Sequence, residues 1–501
     1  MTSERLGLMA MSNRALVISL DCVNAALLDR WTTDGHLPNL ARLRKRGAVA
    51  RMTGRSISME ADWHTFYTGR QPSEHGHCSY DEIILGTYRS KLTTVPRAVC
   101  KPFWETLSQE GTQVIALNPI HVLPPSTANG IVITNWLVHD AGHYTEPASY
   151  PPQLIGELLA RYPDDPVNPN DWGNSANADP GRLLAAKRET LRRKTELLGE
   201  LLKTHPWDIC YAGFDECHEM SHLFWHLHDP SHPRHRTGAG AEDPIAAMLM
   251  ELDAAVGRLL AGIDEDCAIV VVSISGIASN YHWSHLVDTI LHRIDNPVDS
   301  SGGAYKNLRT LWNRIPHTVQ RPLFKIRHRL RETMLERDRR KRRAFALPLN
   351  ERAGAVRINL AGREPNGIVA QGAEYDATCQ DLSEAFDALV CTRTGARLVR
   401  SVVKTRDVLD GPFLDLLPDL MIEWNVDQSI SAVTSPRTGE ITREYTDART
   451  GHHINDGFLM ISGTGAKEKP LAGEVDIADI AKAVVARVRS AQAPFGAGLF
   501  A

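Results

Sequence analysis

The chain has no uninterrupted apolar run approaching the ~18 to 20 residues that a membrane-spanning helix requires. Met1 to Arg14 also lacks the apolar stretch of a secretory leader. From these two absences the expectation is a cytoplasmic protein with no membrane partner. Paired cysteines are missing too: Cys22, Cys78, Cys100, Cys210, Cys217, Cys267, Cys379 and Cys391 stand singly, without the short spacings of a zinc ribbon or the density of a secreted scaffold. They read as reduced thiols, mostly packing. Nor is there an excess of one charge. With 56 Lys+Arg against 60 Asp+Glu the formal net charge is −4, which excludes a global attraction to nucleic acid and leaves any basic surface local. No repeat or low-complexity tract is evident. The 501 residues suffice for one large α/β domain with insertions or for two to three ordinary domains. Assembly into a homo-oligomer is left open.

Short apolar runs are what the chain does have. Ala15–Leu20, Val114–Leu117, Ile131–Ile133, Ile209–Phe214 and Ala268–Ser273 read as buried strands, and helical spacing between them (Ala25, Leu27, Leu28, Trp31; then Ile245 to Leu260) supplies the crossovers. Strand and helix alternating over the first 280 residues or so predict an α/β, doubly wound, mainly parallel central sheet with helices on both faces. From residue 296 the character changes and ends in the basic run Arg327 to Arg343. Such a run is either a surface for phosphate-bearing partners or a solvated helix face. The resulting division is an extension over 1–14, a core over 15–295, an inserted basic helical cap over 296–352, and a return to the core over 353–501.

Four places can carry chemistry. Asp21 closes the first strand, where an acid is a metal ligand, a general base or a helix N-cap. Ser56 to His77 is a loop rich in hydroxyl and acid groups that enters a helix ending at Gly69, followed by His75 and His77 around Gly76. Ser58 at that helix N-terminus would gain nucleophilicity from the oriented backbone N–H groups, or simply cap the helix. The third place is Asp215 to Asp229, with four acids and four histidines in fifteen residues after a strand. His218 and His222 are four apart, so one helical turn puts both imidazoles on one face, within reach of a single metal ion. The bland reading is a His-rich loop with ordinary hydrogen bonds. The fourth is the turn-rich Arg449 to Gly457, containing His452 and His453 just before an apolar strand.

Taken with Val17-Ile18-Ser19-Leu20-Asp21, Leu37-Pro38-Asn39-Leu40, Trp63-His64-Thr65-Phe66-Tyr67-Thr68-Gly69-Arg70-Gln71-Pro72, His75-Gly76, His218-x-x-x-His222, Arg357 to Gly367 and Gly451-His452-His453, these segments give a familiar order. The chain resembles the alkaline phosphatase superfamily, in its branch of type I phosphodiesterases and nucleotide pyrophosphatases. The resemblance runs from about residue 15 to 465 and implies an alkaline phosphatase-like fold. It also implies a site in which two metal ions, usually zinc, flank a Thr or Ser nucleophile that attacks a phosphoryl or sulfuryl centre. Carried over, one ion would be held by His218, His222 and His453, with Glu216 as a further ligand or a partner fixing an imidazole tautomer. Of the second ion's ligands only Asp21 remains, because the family's Ser-Asp-His-Gly reads Ser273-Ile274-Ser275-Gly276 here. Asp62, His64, His75 and His77 are candidate replacements. The nucleophile position falls on Met59 or, nearby, Ala61, neither of which can form an ester; Ser58 is adjacent.

Three functions follow from this pattern. The first is a metal-dependent hydrolase or transferase of a small anionic phosphate, phosphodiester or sulfate ester, working through one zinc, with Ser58 or a water as nucleophile and Glu216 or Asp21 as base. The second is a repurposed enzyme of small-molecule biosynthesis with elimination or cyclisation chemistry, using Glu60, Asp62, His64 and Glu216 as acid/base groups. The third is a non-catalytic binding protein. Arg363 and His75 are assigned to substrate binding, Arg363 as a clamp for a carboxylate or phosphate; the alternative for Arg363 is an arginine satisfying carbonyls in a turn.

Overall fold

The computed structural model describes residues 14–52, 58–92, 99–138, 146–167, 178–236, 243–296, 317–347, 349, 353–443, 448–463 and 469–490. The expected N-terminal extension up to residue 13 and residues 297–316 of the expected cap lie outside the described residues.

A nine-stranded sheet organises the chain. In spatial order its strands are Lys469–Val475, Gly47–Met52, Gly457–Ser462, Ala268–Ser273, Ala15–Leu20, Ile209–Phe214, Val114–Leu117, Gly130–Thr134 and Ala148–Tyr150. Five of its eight pairings are parallel, which makes the sheet mainly parallel as its unbroken apolar runs imply. Every residue of Ala15–Leu20, Ile209–Phe214 and Ala268–Ser273 is buried. Alternation along the strands divides them between two cores. Leu16, Ile18, Cys210 and Ala212 meet the helices Ala25–Thr33, Pro180–Thr204, Glu216–His228 and Pro244–Leu260 on one face. Val17, Ile209 and Tyr211 meet the helices Met59–Thr68, Phe103–Gln109 and Ile477–Arg489 on the other. The fold is therefore the doubly wound α/β type, and the carboxyl ends of its central parallel strands deliver Asp21, Asp215 and Asn118 to one edge. Open α/β sheets hold their ligands at that edge.

Past residue 340 the chain departs from a direct return to the core. Ala344–Ala346, Ala353–Ile358, Leu420–Trp424 and Val399–Lys404 form a separate antiparallel sheet, and Val390–Cys391, Ala432–Ser435 and Gly439–Thr442 form another. They share a core with Trp283, Val287 and Ile290. The main lobe is rejoined from Gly451–Ile454, which pairs with Gly276–Ser279, and then by Gly457–Ser462, Lys469–Val475 and the helix Ile477–Arg489. An apolar strand pattern records burial but names no partner, so the separate sheets were not visible in the periodicity.

Of the expected cap, the described helix His317–Arg339 is docked on the hairpin of Asp81–Ile83 and Ser90–Leu92. Glu332 accepts from the Ser90 amide at 2.7 Å and from Arg339 at 3.1 Å, while His328 Nε2 lies 2.8 Å from Asp81. The basic run is thus split. Arg339 and Arg342 are buried and ion-paired, whereas Arg329 and Arg337 face outward. No helix among the described residues is long and apolar enough to cross a membrane.

Candidate active site

Asp215 ends the strand Ile209–Phe214 and precedes the helix Glu216–His228. Helical period gives this helix two faces: His218 and His222 share one, while Glu216, two residues or about 200° from His218, looks the other way. On the first face His218 Nδ1 is 2.5 Å from Asp21 Oδ2, and His222 Nδ1 donates to the Gly451 carbonyl at 2.8 Å. His222 Nε2 is 3.0 Å from His453 Nε2. The ring centroids of His218, His222 and His453 lie 4.6 to 5.0 Å apart. Gly451 makes this approach feasible, since a Cβ there would meet the Ser221 carbonyl oxygen at 2.2 Å. Burial first, and then the charges of Arg449, His218 and His452, hold His222 well below its ordinary pKa, so the ring is neutral.

Cys22, read from the sequence as packing, stands in this cluster. Its φ of +67° is a left-handed conformation that side chains rarely adopt. Its Sγ is 3.2 Å from Asp21 Oδ1 and 3.5 Å from His453 Nδ1. Cys22, His218 and His453 each offer a ligand atom within 4.8 Å of the others. Burial, then Asp21, push the thiol well above its ordinary pKa. Imidazoles, a thiol and a carboxylate converging in a buried space are a donor set that suits a zinc-type ion. The only signal available beforehand was adjacency to Asp21 at a strand tip.

On the opposite face Glu216 Oε1 lies 2.7 Å from Lys194 Nζ and 3.3 Å from Thr190 Oγ1. Lys194 also meets Asp215 at 2.6 Å, and Lys187 meets Glu219 at 3.1 Å. All six residues are buried. Burial raises the Glu216 carboxyl and Lys194 pulls it back. Glu216 is therefore brought to the lysines of the helix Pro180–Thr204 rather than to the imidazoles.

The remaining expected residues fall elsewhere. Ser58 takes its capping alternative: its Oγ accepts from the Ala61 amide at 3.1 Å and donates to the Cys78 carbonyl. Glu60, Asp62 and His64 are buried on the same helix. His64 stacks edge-on with His77 at 4.6 Å, and His77 Nδ1 is 2.8 Å from Glu82, a partner the sequence reading missed. His75 has both nitrogens occupied, Nε2 by Thr65 Oγ1 at 3.1 Å and Nδ1 by the His77 amide at 3.1 Å. Burial first and His77 next lower both rings, His64 well below its ordinary value and His75 to about 3. Arg363 is tied to Asp419 at 2.6 Å, to Glu364 at 3.0 Å and to the Ile358 carbonyl at 2.7 Å, which places it in the buried ion pairs of the second lobe. Ile274 packs with Val270 and Val272 in the apolar core, and Ser273 Oγ accepts from the Val23 amide and donates to the Ser275 carbonyl.

A sequence model of the type I phosphodiesterase/nucleotide pyrophosphatase family matches residues 15–394. No curated protein matches the chain. Among solved structures, phosphonoacetate hydrolase from Sinorhizobium meliloti 1021 in complex with phosphonoformate is similar at 13% identity, with 95% of each chain covered and a TM-score of 0.52. Human ectonucleotide pyrophosphatase/phosphodiesterase 5 is similar at 11% identity, with 95% of each chain covered and a TM-score of 0.47.

Proposed function

Since the chain belongs to the type I phosphodiesterase/nucleotide pyrophosphatase family, whose chemistry is phosphoryl-transfer hydrolysis, we propose that it hydrolyses a small anionic phosphate, phosphodiester or sulfate ester through one divalent ion, taken here as zinc. The observation that carries this reading is the convergence of His218, His222, His453, Asp21 and Cys22 at the carboxyl edge of the sheet. A bound ion would polarise the ester and lower the pKa of a water to the neutral range. The chain's own residues argue for one ion and for water as nucleophile. Ile274 stands in the apolar core where the family has a metal-ligating Asp, which removes a second-ion ligand. Met59 has no hydroxyl, and the Ser58 hydroxyl serves as a helix cap. Asp21 is the carboxylate at the cluster and the candidate base, whereas Glu216 is held by Lys194.

The second reading, elimination or cyclisation in small-molecule biosynthesis, draws on a different observation. His64 is a neutral buried imidazole beside His77, and its Nε2 has no hydrogen-bond partner among the described residues. Such a group is an acid/base candidate outside the metal cluster.

Metal content and hydrolysis of bis(p-nitrophenyl) phosphate in ¹⁸O-labelled water test both readings. About one ion per chain, one ¹⁸O in the released monoester, and at least about a 100-fold loss of turnover in His218→Ala or on chelation are expected. Undiminished turnover by metal-free protein sinks the metal mechanism. Turnover of a native substrate without solvent oxygen in the product selects the second reading.

A further inference from the structure

Isolated apolar side chains on a surface need no explanation, but several on one element do. Ten large apolar side chains are exposed among the described residues, and five of them belong to one unit. Ile326, Leu330 and Met334 stand on the helix His317–Arg339, and Ile84 and Leu85 stand at the turn of the hairpin on which that helix is docked. The three on the helix are the most exposed of the ten, at 57, 63 and 56%. They recur every four residues, which makes them a stripe about 12 Å long on one side of the helix. His328, Glu332 and Arg339 hold the other side against the hairpin, through Asp81, the Ser90 amide and the Tyr88 carbonyl. At about 100° per residue Leu330 lies half a turn from that contact, so the stripe faces away from the fold.

Cations border the stripe. Each acid of the segment is already taken: Glu332 by Arg339 at 3.1 Å, Glu336 by Arg340 at 2.6 Å and Asp338 by Arg342 at 3.2 Å. Arg329, Arg337 and Lys341 are exposed and have no acidic partner among the described residues. We propose that this face lies on an anionic phospholipid surface, with Ile326, Leu330 and Met334 in the acyl boundary and Arg329, Arg337 and Lys341 among the headgroup phosphates. Their stems are apolar and long enough to keep the charged heads at the phosphate level while the stripe beside them is buried. A helix lying in the interface needs amphipathic spacing and not a spanning length. The expectation of no membrane partner rested on the absence of a long apolar run and does not bear on such a helix. Charge decides the occupant. A second copy of the chain would bring the same unpaired cations together across a two-fold interface, and a nucleic acid offers phosphates without an apolar layer to take up the stripe. The proposal is independent of the metal-dependent reading and survives its failure.

Co-sedimentation of the purified full-length chain with phosphatidylcholine vesicles, with and without phosphatidylserine, measures the contact. The expected result is binding to the vesicles that contain phosphatidylserine, much weaker binding to phosphatidylcholine alone, and release by added salt. Arg329→Gln combined with Arg337→Gln is expected to weaken binding by about 25-fold, at about fivefold per cation. Leu330→Ser combined with Met334→Ser is expected to weaken it by about 100-fold. All four side chains are exposed. Both double variants should therefore keep the circular dichroism and thermal midpoint of the parent, which separates loss of the contact from loss of the fold. Absence of binding to phosphatidylserine vesicles at low salt overturns the proposal. So does full binding retained by either double variant. A dimeric parent made monomeric by Leu330→Ser with Met334→Ser would assign the stripe to a second copy and overturn it as well. Tighter binding of duplex DNA than of the vesicles, lost in the arginine variant, would assign the face to nucleic acid with the same consequence.

Discussion

At the scale of single residues, burial lowers the pKa of several imidazoles, His222 at the site among them. His64 sits on the helix Met59–Thr68, which packs on the opposite sheet face from the helix of His222, and His75 follows it; burial, followed by the His77 charge, holds both below their ordinary pKa. The sign of the linkage follows directly. A histidine whose folded pKa lies below its unfolded value near 6.5 binds fewer protons when folded, so stability is full above 6.5 and falls as the pH drops towards the folded value, about 3 for His75. Each such ring contributes roughly 1.4 kcal/mol per pH unit in that window. Urea unfolding of metal-free protein at pH steps between about 7 and 5 is expected to show a steep loss of stability, and His75→Gln to reduce the slope by roughly 1.4 kcal/mol per pH unit. An unchanged slope in His75→Gln would show that this ring is not held neutral. Residue identity made much of this legible: the imidazoles and Asp21 stood out by type and spacing. Cys22 did not, because its role depends on a positive φ and on a contact with His453, 431 positions away. Neither leaves a mark in local sequence.

At the scale of elements, one helix does two jobs. His218 and His222 present the candidate ligand side, and Glu216 and Glu219 present a buried acidic side to Lys187 and Lys194 of the helix Pro180–Thr204. Burial opposes the Lys194 charge, and Asp215 and Glu216 more than offset it, so the lysine stays charged. Two ammonium groups facing three carboxylates at 0 to 3% side-chain exposure are stable only as a set. Lys194→Met removes the partner shared by Asp215 and Glu216 and is expected to destabilise the protein by about 3–5 kcal/mol in urea unfolding. A loss under about 1 kcal/mol would mean that the acids are already protonated and need no cation. The sequence pattern placed this helix and the strand before it, since both are continuous and apolar enough to be read by period. Reading Glu216 as a site base overlooked the same period: two residues along a helix is a change of side. The partner lysines were unreadable in advance, because Pro180–Thr204 carries many charges and nothing local marks which of them turn inward.

At the scale of the whole molecule, the candidate metal site and the second lobe are held by different chemistry. Cys22, His218 and His453 tie together a strand tip, a helix and a late strand of the main lobe. The second lobe is closed by Asp419, which accepts from Arg363 at 2.6 and 2.9 Å, from Tyr375 at 2.9 Å and from the Ile358 amide at 2.7 Å. The doubly wound sheet was legible in the order of apolar runs. The second lobe was not, because short antiparallel strands with mixed exposure resemble any other strands until their partners are known. The two supports use different residues in different lobes, so their contributions should add. Metal at about a thousandfold excess over its Kd stabilises the folded state by about 4 kcal/mol. Asp419→Asn breaks a buried charge pair at a cost of about 3–5 kcal/mol. Unfolding entropy in a chain of 501 residues is on the order of 1 kcal/mol per degree. Chelation and Asp419→Asn are therefore each expected to lower the midpoint of thermal unfolding by about 3–5 °C. Combined, they should lower it by the sum, within about 0.5 kcal/mol of coupling. Calorimetry of the four states, parent and variant with and without metal, measures that coupling. A value above about 1 kcal/mol would mean that the Arg363–Asp419 pair is part of the site after all, through the second lobe's grip on the edge of the sheet where the imidazoles converge.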